Sequence, residues 1–154
     1  MSDAHYWMIA AESSALHARA VIGRRICDRA LVLYRDPSGK AIAAPDRCLH
    51  RCGKLSAGAA RDGKLTCPYH GWQYGAGGAV VSIPSENSPG PFRLPLYETR
   101  ERDGFVYVRL ERGVENAPFA MPHYGERGFQ RVRLVNVFEN NVTNCVENFV
   151  DVPH

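Results

Sequence analysis

The chain has 154 residues, 45% of them hydrophobic, with five cysteines and a formal net charge of only +3. That length suits one domain of ordinary size, and so slight a charge gives no reason to expect nucleic acid or an anionic membrane as a partner. No apolar stretch approaches the ~20 residues that cross a bilayer. Met1 to His5 lacks the basic-then-apolar order of a secretory signal, so a soluble cytoplasmic protein is expected. In such a chain an odd number of cysteines favours metal binding or catalysis over disulfides. Basic residues occur in small groups such as Arg24-Arg25 and Arg131/Arg133, the pattern of a solvated surface; docking of an acidic protein partner is the other reading.

In chain order, Ala30 to Tyr34 is a compact β-prone run. Asp36-Pro37-Ser38-Gly39 is a turn signal, and Ala41 to Ala44 reads as the returning strand. Arg61-Asp62-Gly63-Lys64 is a second hairpin signal, leading into Leu65-Thr66-Cys67. Gly75 to Gly78 is a third, before Ala79-Val80-Val81, and Arg102-Asp103-Gly104 a fourth, before Phe105 to Val108. Strands at this spacing predict a mainly β fold, a small antiparallel sandwich or barrel. Residues 83–95 hold Pro84, Pro89, Pro91 and Pro95 and read as an irregular surface segment, while residues 113–128 read as a boundary or linker. Gln130 to Phe138 then alternates as a strand, and Asn140 to Val150 has helical spacing at Val142, Cys145, Val146, Phe149 and Val150. This predicts one domain over residues 1–128 and the first strand and helix of an α+β domain from residue 129.

Cys48-Leu49-His50, sixteen residues, and Cys67-Pro68-Tyr69-His70 form the most informative pattern. Each half places one thiolate and one imidazole on a tight loop. A [2Fe–2S] cluster needs two ligands per iron, and in a Rieske centre two cysteines hold one iron and two histidines the other. The same four residues suit tetrahedral zinc, but a zinc finger usually keeps its cysteines in one half and its histidines in the other. Around these ligands, Gly53, Gly58 and Gly71 allow close turns that bring backbone N–H groups to the sulfurs. Trp72 and Tyr74 are expected to shield the cluster from water.

Cys48-Leu49-His50-Arg51, Leu55-Ser56, Gly58 and Cys67-Pro68-Tyr69-His70-Gly71-Trp72 resemble the N-terminal domain of the Rieske non-haem iron oxygenases. The resemblance implies a [2Fe–2S] cluster on Cys48, His50, Cys67 and His70. It differs from the respiratory Rieske protein at Tyr69, where that protein has a cysteine in a disulfide, so Cys52 is expected to be a free thiol packed near the cluster. The short connection between Val81 and Phe92 looks more like the monooxygenase and demethylase branch than the dioxygenases with a small β subunit.

Near the end, Glu147, Asp151 and His154 stand at i, i+4 and i+7 of a helix, on one face. Taken alone they are a helix cap or a solvated pair. With the cluster motif upstream, Glu147-Asn148-Phe149-Val150-Asp151-Val152-Pro153-His154 is similar to the family helix that starts the mononuclear iron site. The match implies that His154 is the first ligand of a two-His-one-carboxylate Fe(II) site with open positions for O₂. It implies that Asn148 lies near that iron, and that Asp151 bridges a neighbouring subunit's cluster histidine, matched here by His70. The remaining ligands of that triad are absent from these residues, so a piece of a longer oxygenase α subunit is expected.

Taken together, the resemblance implies the terminal oxygenase component. A reductase or ferredoxin supplies single electrons to the cluster. They pass through His70 and Asp151 to the mononuclear iron of the adjacent subunit in a homotrimer. O₂ then hydroxylates or demethylates an organic, expectedly aromatic, substrate. The rival readings are a stand-alone Rieske ferredoxin, which does not need residues 129–154, and a zinc-stabilised interaction module.

Overall fold

The computed structural model describes residues 3–113 and 116–151. These fall into two units, one running to Met121 and the other starting at Pro122, inside the Pro- and Gly-rich stretch read as a linker.

The first unit holds β1 (Met8–Glu12), β2 (Ile22–Ile26), β3 (Arg29–Arg35), β4 (Ala41–Pro45), β5 (Ala59–Arg61), β6 (Lys64–Thr66), β7 (Gln73–Tyr74), β8 (Val80–Ser82), β9 (Glu98–Arg102) and β10 (Phe105–Arg109). They pair antiparallel in three small sheets, ordered β1-β10-β9, β2-β3-β4 and β5-β6-β7-β8. The mainly β, antiparallel architecture is the expected one.

β3 organises the unit because both of its faces are apolar. Leu31 and Leu33 point one way and Val32 and Tyr34 the other, and all four are buried. Small residues in β4 repeat the division: Ala41 and Ala43 join Leu31, Leu33, Val106 and Val108 in one core. Ile42 and Ala44 join Val32, Tyr34, Cys48, Leu55, Leu65, Cys67 and Tyr74 in the other. The middle sheet is thus covered on both sides, and its second face carries the β5–β8 sheet. Each fully buried Leu here contributes about 2 kcal/mol of transfer free energy.

Three hairpins close with two-residue turns in which both residues have positive φ: Cys27-Asp28, Asp62-Gly63 and Asp103-Gly104. This conformation matches the right-handed twist of the flanking strands. The Asp-Gly pairs announce it in sequence. Cys27-Asp28 does not, and the exposed Arg24-Arg25 breaks the apolar alternation of β2, so this hairpin escaped the sequence reading.

In the second unit the strand expected over Gln130 to Phe138 is absent: residues 129–138 carry no regular secondary structure. A strand requires a neighbour for its N–H and C=O groups, and none pairs with this stretch among the described residues. Val132, Leu134 and Val137 are exposed. The helix is present as α1 (Val142–Val150), capped by the Asn141 side chain, which accepts from the Asn144 N–H. No described helix is long and apolar enough to cross a membrane.

Candidate metal centre

The two Cys/His loops are built on one plan. In the first, the Cys48 N–H donates to the Gly53 carbonyl (2.9 Å) and the Cys52 N–H donates back to the Cys48 carbonyl (3.0 Å). In the second, the Cys67 N–H donates to the Trp72 carbonyl (2.9 Å) and the Gly71 N–H to the Cys67 carbonyl (3.1 Å). Each loop reverses at a left-handed residue, Cys52 (φ 56) in one and Gly71 (φ 72) in the other. Cys52 therefore stands where the sister loop has glycine. That turn leaves its free thiol exposed rather than packed near the centre, as the sequence had suggested.

The loops bring the four expected ligand residues together in two pairs. The thiol pair is internal: Cys48 is 3% and Cys67 2% exposed. The imidazole pair is at the surface, with the His50 and His70 ring centroids 4.6 Å apart. Among the described residues no three His, Cys, Asp or Glu side chains gather round a single ion position. A two-plus-two grouping suits two irons, whereas one tetrahedral zinc draws four ligands to a single point.

Hydrogen-bond donors surround the sulfurs. Burial pushes the Cys67 thiol up, while the backbone N–H groups of Tyr69 and His70, aimed at its sulfur, pull it down, and the adjoining Cys48 thiol raises it again. Cys48 Sγ lies 3.0 Å from the Tyr74 hydroxyl. That hydroxyl also accepts from the Leu49 N–H at 3.0 Å, which leaves its own hydrogen for the sulfur. Tyr74 is wholly buried, and burial first, then the Cys48 contact, holds its hydroxyl protonated far above the ordinary range. Sequence reasoning gave Tyr74 only a shielding role; no pattern in the sequence reveals that its hydroxyl reaches Cys48.

Trp72 stacks on His50, with centroids 5.2 Å apart and planes 3° from parallel. The His70 ring packs 3.8 Å from Tyr69. Partial removal from water, then the charges of His50 and Arg51, hold the His70 imidazole below its ordinary value. This favours the neutral ring that a metal requires. A cavity of about 530 Å³ opens beside both imidazoles, lined by Trp72, Phe92 and the Ile83–Gly90 segment.

Two glycines let the loops close this tightly. A Cβ on Gly58 would lie 2.1 Å from the Thr66 carbonyl oxygen, and one on Gly53 3.3 Å from Cys67 Sγ.

The other expected site residues belong to the second unit. Asn148 is on α1. Asp151 is the C-cap of that helix, at φ −77 and ψ 87, and its N–H on the Glu147 carbonyl keeps it one turn after Glu147. Helical geometry ends there because Pro153 supplies no N–H and disfavours helix at the residue before it. His154 lies outside the described residues.

The sequence matches the family described as the Rieske [2Fe-2S] domain over residues 6–100. The vanillate O-demethylase oxygenase subunit of Pseudomonas sp. (strain HR199 / DSM 7063) is 38% identical over 102 residues, covering 66% of this chain and 28% of its own length. The oxygenase component of dicamba O-demethylase from Stenotrophomonas maltophilia is 33% identical over 153 residues, 96% of this chain and 45% of its own. The crystal structure of dicamba monooxygenase with non-heme iron and dicamba superposes with a TM-score of 0.67 at 33% identity, over 81% of this chain and 39% of that one. The chain thus spans less than half the length of these relatives.

Proposed function

This chain belongs to the Rieske [2Fe–2S] domain family, and from that membership we propose that it is the cluster-holding part of the terminal oxygenase component of a Rieske non-haem iron oxygenase. Cys48 and Cys67 hold one iron and His50 and His70 the other. The observation that carries this is the two-plus-two arrangement: two buried thiols under peptide N–H donors, and two adjoining imidazoles at the surface. When bound, such a cluster takes up and releases one electron, at a potential that the imidazoles raise to roughly −150 to +300 mV.

The chain's own residues set the conditions for that exchange. The β5–β8 sheet and Tyr74 exclude water from the sulfurs, so that N–H and O–H dipoles rather than solvent balance their charge. Trp72 fixes the ring plane of His50. The surface position of both imidazoles gives electrons a short path to a partner. Asp151 of a neighbouring subunit is the acceptor for His70 in a homotrimer. His154, with ligands further along the polypeptide, holds a mononuclear Fe(II), and Asn148 lies beside it. The substrate is a small organic molecule, expectedly aromatic, that is hydroxylated or demethylated with O₂. The words "oxygenase subunit" and "oxygenase component" in the relatives' names support a separate reductase or ferredoxin as electron donor. Similarity over 96% of the chain, reaching past the cluster loops, favours this reading over a stand-alone ferredoxin. The domain limits are proposed as 1–128 for the cluster domain and 129 onward for the start of the catalytic one, in a soluble cytoplasmic protein.

Metal and acid-labile sulfide analysis with EPR of the reduced protein tests the centre. Iron and sulfide in equal amounts with a Rieske signal, both lost in Cys67→Ser, are expected; one zinc per chain would refute it. In the full-length protein, Asp151→Ala should retain that signal and lose nearly all product formation. Normal turnover by this variant would remove Asp151 from its role.

A further inference from the structure

The two ligand loops are anchored differently. The second hangs between paired strands: Thr66 of β6 faces Gln73 of β7, and Leu65 faces Tyr74, so the ladder fixes both of its ends. The first leaves β4 after Pro45 and returns through a single 3₁₀ turn, Leu55–Ala57, into β5, which belongs to a different sheet. The bond from the Cys48 N–H to the Gly53 carbonyl closes its neck. A closed neck on unpaired ends is still free to shift as a body.

The Asp46 carboxylate joins those ends. Its Oδ1 accepts from the Ser56 N–H and its Oδ2 from the Ser56 hydroxyl, both at 2.6 Å and across the whole loop. Bonds this short to a carboxylate are of the stronger, charge-assisted kind. On one side, the Asp46 N–H is held by the carbonyl of Ala30 in β3 at 3.0 Å. On the other, Ser56 follows Leu55, which is fully buried in the core that contains Cys48 and Cys67. The N-cap of the 3₁₀ turn, Lys54, makes no side-chain bond, so the Ser56 N–H finds its partner in Asp46 instead. β2 closes on the same point: a Cβ on Gly23 would stand 2.8 Å from Ser56 Oγ, and a glycine within a strand marks such a close approach.

We propose that Asp46 is a positioning residue for the cluster: bound to Ser56 across the two ends of the first ligand loop, it sets where Cys48 and His50 present their ligand atoms. This rests on the cluster-holding reading above and adds to it a residue outside the ligand motif. Cys48 and His50 serve different irons, so a shift of this loop displaces a ligand of each. Groups that orient ligands in this way control metal retention by about tenfold to 100-fold. Asp46→Asn keeps the arrangement, with Oδ1 accepting from the Ser56 N–H and the amide donating to the hydroxyl oxygen, whereas Asp46→Ala leaves the Ser56 N–H without this partner.

The test follows iron release from the reduced, cluster-loaded protein to a ferrous-iron chelator, with EPR of the same samples. Asp46→Ala should release iron at least about tenfold faster than the wild type and shift or broaden the Rieske g-values; Ser56→Ala should act in the same direction and more weakly. Asp46→Asn should restore the g-values and bring release within about threefold of the wild type. Val106→Ala hollows the other core; it should lower thermal stability, change release less than about twofold and leave the g-values unmoved. If Asp46→Ala does not fold, Ser56→Ala set against Val106→Ala decides. Wild-type release and g-values in the Asp46 and Ser56 variants would overturn the proposal, and so would the same faster release with unmoved g-values in Val106→Ala. Asp46→Asn as impaired as Asp46→Ala would also overturn it, since both bonds to Ser56 survive that change. A wild-type protein lacking the Rieske EPR signal would overturn the underlying reading; a normal wild-type signal with variants that match it would remove the positioning role alone.

Discussion

At the scale of single residues, the centre depends on dipoles aimed at sulfur. Tyr74 donates to Cys48 from a fully buried position, and a donor stabilises the reduced, more negative state more than the oxidised one. If the difference is about 1 kcal/mol, one-electron arithmetic makes it about 40 mV. Tyr74→Phe should therefore keep the cluster and lower its reduction potential by that order, read by redox titration followed by EPR. An unchanged potential would mean that the hydroxyl serves packing alone. Cys52 invites the opposite kind of change. Its left-handed backbone, φ 56, favours glycine, and the matching residue of the sister loop is Gly71. Cys52→Gly should retain full iron content and leave stability equal or higher by up to about 1 kcal/mol, the relieved strain being offset in part by a more flexible unfolded chain. Loss of iron in this variant would give the thiol a role in the centre.

Between elements, glycine positions divide into those that need only a permissive backbone and those that need space. Gly39 has φ +83 but nothing within 4 Å of where a Cβ would stand, whereas Gly63 combines φ +70 with the Pro37 backbone nitrogen 2.1 Å from such a Cβ. Gly39→Ala should cost about 1 kcal/mol and Gly63→Ala about 3 kcal/mol or more, since the second must also push the β5–β6 hairpin off the β3–β4 turn. Denaturant melts of the two variants check the order; equal costs would show that the hairpin yields freely. The Arg35–Glu101 pair joins β3 to β9 and has a pH signature. Hydrogen bonding to Arg35 holds the Glu101 carboxyl below its ordinary value of 4.5, against the opposing effect of burial. A carboxylate depressed in the folded state adds stability that is present above pH 4.5 and is lost as pH falls through the folded value. Glu101→Gln should flatten this acid limb, modestly because the pair is partly solvated. A wild-type slope in the variant would assign the acid sensitivity elsewhere.

Across the first unit, the centre is part of the core rather than an attachment to it. Cys48 and Cys67 belong to the same buried cluster as Val32, Tyr34, Ile42, Leu65 and Tyr74. The layer formed by β1, β9 and β10 packs on the other face of the middle sheet, in a core of its own. Cluster removal should therefore strip hydrogen-exchange protection from β5–β8 and the two ligand loops while leaving most of it in β3, β4 and β10. Uniform loss in all three sheets would show instead that the unit folds only as one with its metal. The second unit contrasts with this: α1 has no buried residue, so its order rests on local bonds, chiefly the Asn141 cap.

The sequence by itself determined the four candidate ligand residues, the antiparallel class and most hairpins, because these are written in local chemistry. The Cys-x-His and Cys-x-x-His spacings select a binuclear iron centre over a zinc finger, and Asp62-Gly63 and Asp103-Gly104 dictate their turns. It missed the Cys27-Asp28 hairpin, where the turn lacks glycine, and at Gln130 to Phe138 it read a strand from alternation that has no pairing strand among the described residues. Only the tertiary structure decided that Tyr74 reaches Cys48 and that Trp72 lies flat on His50. Each of these depends on which residues distant in sequence meet in space, and a one-dimensional pattern carries no term for that.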